Sequence, residues 1–258
     1  MHKANDGGKV DAVDPASAAA PPGGDHHASP VAARFDLWAP DYDSSVLQEA
    51  FYTRLHHHTL LLASHANPAP ARVLDLGCGT GRLLRAAAAR FPRADLIGVD
   101  ISAGMLHRAA RTTVAGPGRP VYLQADAAHL PVADAAVDLT ICTASSHHWP
   151  DPEPPLAQLR RVTADDGYLI LAHLPGIADW DLNAAGSGRT NPRTGTSRLT
   201  ALLGAAGFRI TKAALYAECP VMPTTVVLCA RPDTAPRPRG VIRLLRSGAI
   251  GDGQRGRT

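Results

Sequence analysis

The chain has 258 residues, 45% hydrophobic and 19% charged, with a formal net charge of +3. That length suits one α/β domain with appendages and buries a large core without disulfide or metal staples. No run of about 18 apolar residues occurs, which excludes a membrane-spanning helix. The first thirty residues lack a charged start followed by an apolar run, so no secretory signal is expected. Cys78, Cys142, Cys219 and Cys229 form no CxxC pair and no zinc spacing, so the expectation is a reduced, cytoplasmic chain without a metal site.

Residues 1–33, rich in Ala, Pro, Gly and Asp and without an apolar period, are expected to be an unstructured N-terminal tail. From Arg231 to Thr258 there are seven Arg against two Asp, and this Pro- and Gly-punctuated basic stretch is expected to be a second solvated tail. Between them, residues 34–230 read as one domain with an N-terminal helical cap over 34–66. Ser45–His65 is expected to be helical, with Val46, Ala50, Leu55, Leu60 and Leu61 among its apolar positions. Short apolar runs then alternate with helical stretches. The runs are Arg72–Leu76, Asp95–Val99, Val121–Gln124, Val137–Cys142 and Tyr168–His173. The helices are Gly81–Phe91, Ala103–Arg111 and Pro155–Val162, with at most a single turn at His129–Pro131. This alternation predicts a parallel sheet covered on both faces. A helix at Ser197–Ala206 precedes strands near Arg209–Glu218 and Thr224–Ala230, whose short link permits an antiparallel hairpin but no helical crossover. The glycine-rich segment from Leu174 to Gly195, with Trp180 within it, is expected to be a lid or substrate wall.

The sharpest local feature is Val73-Leu74-Asp75-Leu76-Gly77-Cys78-Gly79-Thr80-Gly81. An apolar strand runs into three glycines at alternate positions and then a helix, the pattern of a backbone that turns tightly against a ligand. The spacing is neither the dinucleotide GxGxxG nor a P-loop, since Arg82 follows Gly81. Asp100, 19 residues past Gly81, ends the second strand, where a carboxylate can accept hydrogen bonds from both hydroxyls of a ribose; there it also competes with Ser102 for the role of helix cap. Asp126 ends the third strand, where it suits either an exocyclic amine or a turn. Open α/β sheets bind ligands at these carboxyl ends.

Asp75–Gly81, Asp100 and Asp126, in this order, resemble the class I S-adenosylmethionine-dependent methyltransferases. Phe35–Asp43, His147-His148-Trp149, and Leu159–Val162 with Asp166–Leu171 are similar to the small-molecule branch, the methyltransferase-11 or ubiquinone/menaquinone-methyltransferase-like group. The resemblance covers about Phe35 to Ala230. It implies an α/β, Rossmann-like three-layer sandwich with a seven-stranded, mostly parallel sheet ordered 3-2-1-4-5-7-6, the last strand antiparallel. It implies S-adenosylmethionine as methyl donor and S-adenosylhomocysteine as product. Asp75, Gly77, Cys78, Gly79 and Gly81 would hold the methionine portion, with Tyr42 closing over it. Asp100 would hold the ribose, Ile101 and Met105 would flank the adenine, and Asp126 would meet its amine with Ala127 beside it. Thr143 would line the methyl donor.

His147 and His148 follow the fourth strand, where a base near neutral pH is useful; from an extended segment only one of the two could face a ligand. His173 stands where many relatives carry Asp, and is a candidate base or a polar strand end. His56-His57-His58 fan around a helix and read as surface or rim residues; Phe51 and Tyr52 are candidate apolar walls. The acceptor is expected to be a small molecule, with an O, N or C nucleophile. No membrane association is expected, nor nucleic acid, because no Asn-Pro-Pro-Tyr-type motif follows the fourth strand. A homodimer is among the assemblies the sequence permits. Two other readings share the pocket: a cyclase, decarboxylase or hydroxylase that uses the sulfonium without transferring methyl, and a non-catalytic binding module.

Overall fold

Alternating apolar side chains set the two faces of the sheet. In β1 (Arg72–Leu76), Val73 packs with one buried cluster while Leu74 and Leu76 pack with another, as the period of two requires. The computed structural model describes residues 29–112, 119–175, 192–217, 222 and 224–234, with side chains described from Arg198 in the segment that begins at Pro192. Most of both expected tails, the Trp180 loop and Cys219 lie outside these residues. Among the described residues no helix is long and apolar enough to cross a membrane.

The remaining strands are β2 (Asp95–Asp100), β3 (Val121–Gln124), β4 (Val137–Thr143), β5 (Thr163–His173), β6 (Phe208–Tyr216) and β7 (Thr225–Pro232). They form one seven-stranded sheet in the order β3-β2-β1-β4-β5-β7-β6. The first five pair in parallel, and β7 runs antiparallel to both β5 and β6. α2 (Thr53–Ala66) and α3 (Arg82–Arg90) cover one face, burying Leu55, Leu83 and Leu84 against Val73, Leu139 and Ile141. α5 (Glu153–Val162) and α6 (Pro192–Ala206) cover the other, where Leu156, Leu159, Leu199 and Leu203 meet Leu74, Leu169 and Leu171. α1 (Pro30–Trp38) and α4 (Ala103–Arg111) pack on each other beside the β2–β3 edge.

Four boundaries differ from the sequence expectation. α1 begins at Pro30, capped by Ser29, whose hydroxyl accepts from the Ala32 N–H; helix therefore starts inside the segment read as a tail. The single helix expected at 45–65 is a π-helical turn (Gln48–Tyr52) followed by α2. The wide turn shifts the helix phase, so Phe51 and Leu55 are buried while Val46 and Leu61 face solvent. β5 starts five residues earlier than expected, because the Thr163 side chain is buried and hydrogen-bonded to the Leu159 carbonyl and to Thr140. α6 starts at Pro192 rather than Ser197.

Gly98 in β2 shows how tightly the loop end of the sheet is packed. A Cβ there would lie 2.8 Å from each of Cys78 Sγ, Leu84 Cδ1 and Tyr122 Cδ1. Gly98→Ala should therefore destabilise the fold by about 1–3 kcal/mol through overpacking. Urea unfolding measures this, and an unchanged midpoint would show that the neighbours yield freely.

Candidate functional site

At the end of β1 the chain turns through Gly77, whose φ of +75° is a conformation that L side chains rarely adopt. A Cβ at Gly77 would collide with the Ser145 hydroxyl, so glycine is also what allows the loops after β1 and β4 to touch. Gly81 caps α3 at φ +76°, with the Tyr122 hydroxyl where its Cβ would be. The N–H groups of Gly77 and Cys78 both donate to the Val99 carbonyl, at 2.8 and 3.1 Å. That of Gly79 donates to Asp100 Oδ2 at 2.8 Å, and that of Gly81 to the Cys78 carbonyl at 2.9 Å. These four donors bind the loop to β2 and to itself. What the loop offers a ligand is close backbone approach.

Over the strand ends lies a cavity of about 600 Å³, a size typical of small-molecule sites. Asp75, Gly77, Cys78 and Gly79 line it from the β1 end, and Asp100, Ile101 and Met105 from the β2 end and the start of α4. Asp126 and Ala127 line it after β3, and Thr143, His147 and His148 after β4. Tyr42, Tyr52 and His56 close it from the N-terminal cap. Gly81 and His173 are not part of the wall. Gly81 shapes the loop from behind, and His173 is fully buried, sharing a 2.9 Å hydrogen bond with Ser146 Oγ.

The carboxylates are held in different ways. Asp100 accepts from the Gly79 N–H with Oδ2 and from the Ser102 N–H with Oδ1, at 2.8 and 2.9 Å. Burial raises its pKa, and these backbone donors oppose the rise. Ser102 caps α4 by accepting from the Met105 N–H, so the helix cap falls to Ser102 while Asp100 lines the cavity. Asp126 Oδ1 closes a turn with the Ala128 N–H at 2.7 Å while the residue lines the cavity. Asp75 is fully desolvated beside Asp100; burial first, and then that neighbouring charge, push its carboxyl to about 8. It is therefore protonated at neutral pH.

His147 and His148 both line the cavity because they sit on a 3₁₀ turn (Ser146–His148) rather than on extended chain. That corrects the expectation that only one could do so. Their rings lie against each other with centroids 3.8 Å apart and planes tilted by 50°. Burial lowers His147 to about 3, helped by His148, His173 and Arg34; burial and Arg34 lower His148 to about 4. Both imidazoles are neutral at physiological pH. Ala144, at φ +50°, carries the backbone strain of the bend into this turn. His56, likewise lowered to about 4 by burial and by Arg82 and Arg85, lines the wall, Tyr52 does too, and Phe51 is core.

Several further residues enter the site, Phe35 and Asp36 from the Phe35–Asp43 segment and Arg34 and Gln48 from outside any motif. Asp36 Oδ1 accepts from the Ser102 hydroxyl (2.6 Å) and the Gly104 N–H (2.8 Å), fastening α1 to the start of α4. Arg34 reaches His148 Nδ1 at 3.2 Å, and the Phe35 ring meets His148 edge-on at 5.1 Å. Gln48 lines the cavity and is buried. All depend on contacts far apart in sequence.

The Asp75 proton has a thermodynamic consequence. Between about pH 4 and about pH 8 the folded protein keeps a proton that the unfolded chain has lost, so stability falls as pH rises through that interval. Asp75→Asn should melt on the order of 5 °C above wild type near pH 8.5, with the difference vanishing towards pH 4. Thermal melts of ligand-stripped protein test this; a difference independent of pH would contradict the assignment.

Residues 74–171 match the family model described as a methyltransferase domain. The chain is 36% identical over 138 residues to a malonyl-[acyl-carrier protein] O-methyltransferase of Geobacter sulfurreducens, covering 54% of this chain and 50% of that protein. It is 33% identical over 141 residues to a demethylmenaquinone methyltransferase of Thermus thermophilus, covering 55% and 64%. The chain thus spans between half and just under two thirds of the length of these relatives. Among solved structures, magnesium protoporphyrin IX methyltransferase from Synechocystis PCC 6803 with bound S-adenosylmethionine superposes with a TM-score of 0.58 at 22% identity, covering 77% of this chain and 91% of that one, a likeness of fold. The match identifies residues 74–171 as a methyltransferase domain, and the sheet order and the glycine loop accord with it.

Proposed function

We propose that the protein transfers a methyl group from S-adenosylmethionine to a small-molecule acceptor, releasing S-adenosylhomocysteine. The observation that carries this reading is the Asp100 carboxylate, fixed in the cavity wall by the Gly79 and Ser102 N–H groups. A carboxylate has about four acceptor sites, so the backbone donors leave room for a ribose hydroxyl. Asp126 and Ala127, one strand further along, suit the adenine, with Ile101 and Met105 against its faces. Asp75, Gly77, Cys78, Gly79 and Tyr42 suit the methionine end, and Gly81 shapes the loop that receives it. Thr143 Oγ1, buried without a hydrogen-bond partner among the described residues, belongs to a residue that lines the same space.

The sulfonium supplies a methyl group that is already activated. The protein's task is to align the acceptor, exclude water and accommodate a proton. His147 and His148 perform it as neutral imidazoles that accept a hydrogen bond from the acceptor's O–H or N–H. Imidazoles of such low basicity do not retain the proton, so it passes to solvent as the acceptor's O–H or N–H bond breaks and the methyl arrives, or it has already left an acceptor acidic enough to ionise by itself. His173 acts through Ser146, holding the turn that presents them. Cys78, Cys142 and Cys229 are free thiols, which supports a reducing, cytoplasmic setting.

Incubation with S-adenosylmethionine and a panel of small acceptors should yield S-adenosylhomocysteine one-for-one with methylated product. Product formed without it would indicate a non-methylating use of the same site. Asp100→Ala should weaken S-adenosylhomocysteine binding roughly 10- to 100-fold by calorimetry, and unchanged affinity would contradict the ribose assignment. His147→Ala should slow turnover on the order of 100-fold with little change in that affinity. The wild-type rate should show no inflection near pH 6.5, because the two histidines titrate at about 3 and about 4.

A further inference from the structure

Gln48 is 1% exposed and lines the cavity, and among the described residues its Oε1 has no hydrogen-bond partner while its amide nitrogen lies beside the Tyr42 phenol. Native structures rarely bury an amide in this way unless something else satisfies it. Its position is set by the π-helical turn, in which the Thr53 N–H donates to the Gln48 carbonyl five residues back. Such turns recur at functional sites. Here the turn sends Gln48, Tyr52 and His56 to the cavity, while Phe51 and Leu55 enter the core.

The helix that continues from this turn packs over β4, β5 and β7 and against α3. Gln48 therefore faces the part of the cavity away from Asp126. Its polar neighbour is the Tyr42 phenol, which its amide holds down against the upward push of burial. The Tyr42 ring lies over Gly79, 3.9 Å from where a Cβ there would be. This is the end of the site to which the donor reading assigns an α-amino acid. The nearby guanidinium, Arg82, is drawn to Glu49 at 2.7 Å.

We propose that Gln48 recognises the zwitterionic α-amino-acid end of the methyl donor, Nε2–H donating to its carboxylate and Oε1 accepting from its ammonium. An amide offers donor and acceptor on one plane and repels neither charge, which a carboxylate or guanidinium could not do. The proposal rests on the donor reading above and adds to it a residue that discriminates by the amino-acid portion.

Calorimetry with two compounds tests it. S-adenosylhomocysteine carries the amino-acid end, and 5′-methylthioadenosine has the same adenosyl thioether without it. Gln48→Leu should weaken S-adenosylhomocysteine roughly tenfold or more and leave 5′-methylthioadenosine unchanged, which also shows that the variant is folded. Gln48→Glu, of nearly the same size, should show the same selective loss through repulsion of the carboxylate. Equal weakening of both compounds in both variants, or no change in either, would overturn the proposal while the donor reading stood. Wild-type protein that bound neither compound would refute the donor reading and this inference with it.

Discussion

The hydrogen bond from the Gly79 N–H to Asp100 Oδ2 is the constraint on which the site depends. It joins the loop after β1 to the end of β2, and the Gly77 and Cys78 donors to Val99 reinforce it. A chain reversing over so few residues needs the positive φ at Gly77 and Gly81, and the neighbouring Ser145 and Tyr122 side chains leave no space for a Cβ at either. The loop therefore has one conformation available, and that conformation turns the Asp100 carboxylate to the cavity. In a phosphate-binding loop the backbone donors point at the ligand. Here four of them serve the protein, and acceptors dominate the wall, an arrangement suited to a ligand rich in hydroxyls and bearing positive charge.

The charge of the cavity is graded along the strand ends. Asp75, Asp100 and Asp126 lie on the β1–β3 side, and neutral histidines lie after β4. Asp75 holds its proton because a second bare carboxylate beside Asp100 would be too costly in a desolvated wall. A cation brought there relieves that repulsion and favours the ionised form. The histidine side has the opposite bias. Burial and the Arg34 guanidinium keep both rings unprotonated, so the histidines themselves stay uncharged on that side of the cavity.

Much of this was legible in the sequence. Strands β1 to β4 announce themselves as apolar runs ending in Gly or polar residues, because a sheet covered on both faces leaves little room for alternation. The glycine spacing, Asp100 and Asp126 are local signals, and the cavity gathers them. Gln48 was not legible, because the π turn moves the helix out of the regular 3.6-residue phase by which Val46 and Ala50 read as inward-facing. The contacts of Asp36 and Arg34 were not legible for another reason: their partners, Ser102 and His148, lie 66 and 114 residues away. His147 and His148 were found, but their joint access to the cavity required a 3₁₀ turn that two adjacent histidines do not encode.

In the proposed reaction, that turn is what lets a weakly basic pair serve a methyl transfer. Its start is strained at Ala144, whose N–H is fixed to the Ala172 carbonyl at 2.9 Å, and its first residue, Ser146, is tied to the buried His173. From the other side, α1 lays Arg34 and Phe35 against His148. The rings are thus held from both sides in a dry wall. There the advantage of a fixed hydrogen-bond acceptor comes from geometry rather than from proton affinity. Because α1 is itself fastened through Asp36 to the α4 cap beside Asp100, the contacts on His148 and the Asp100 carboxylate are joined through one helix.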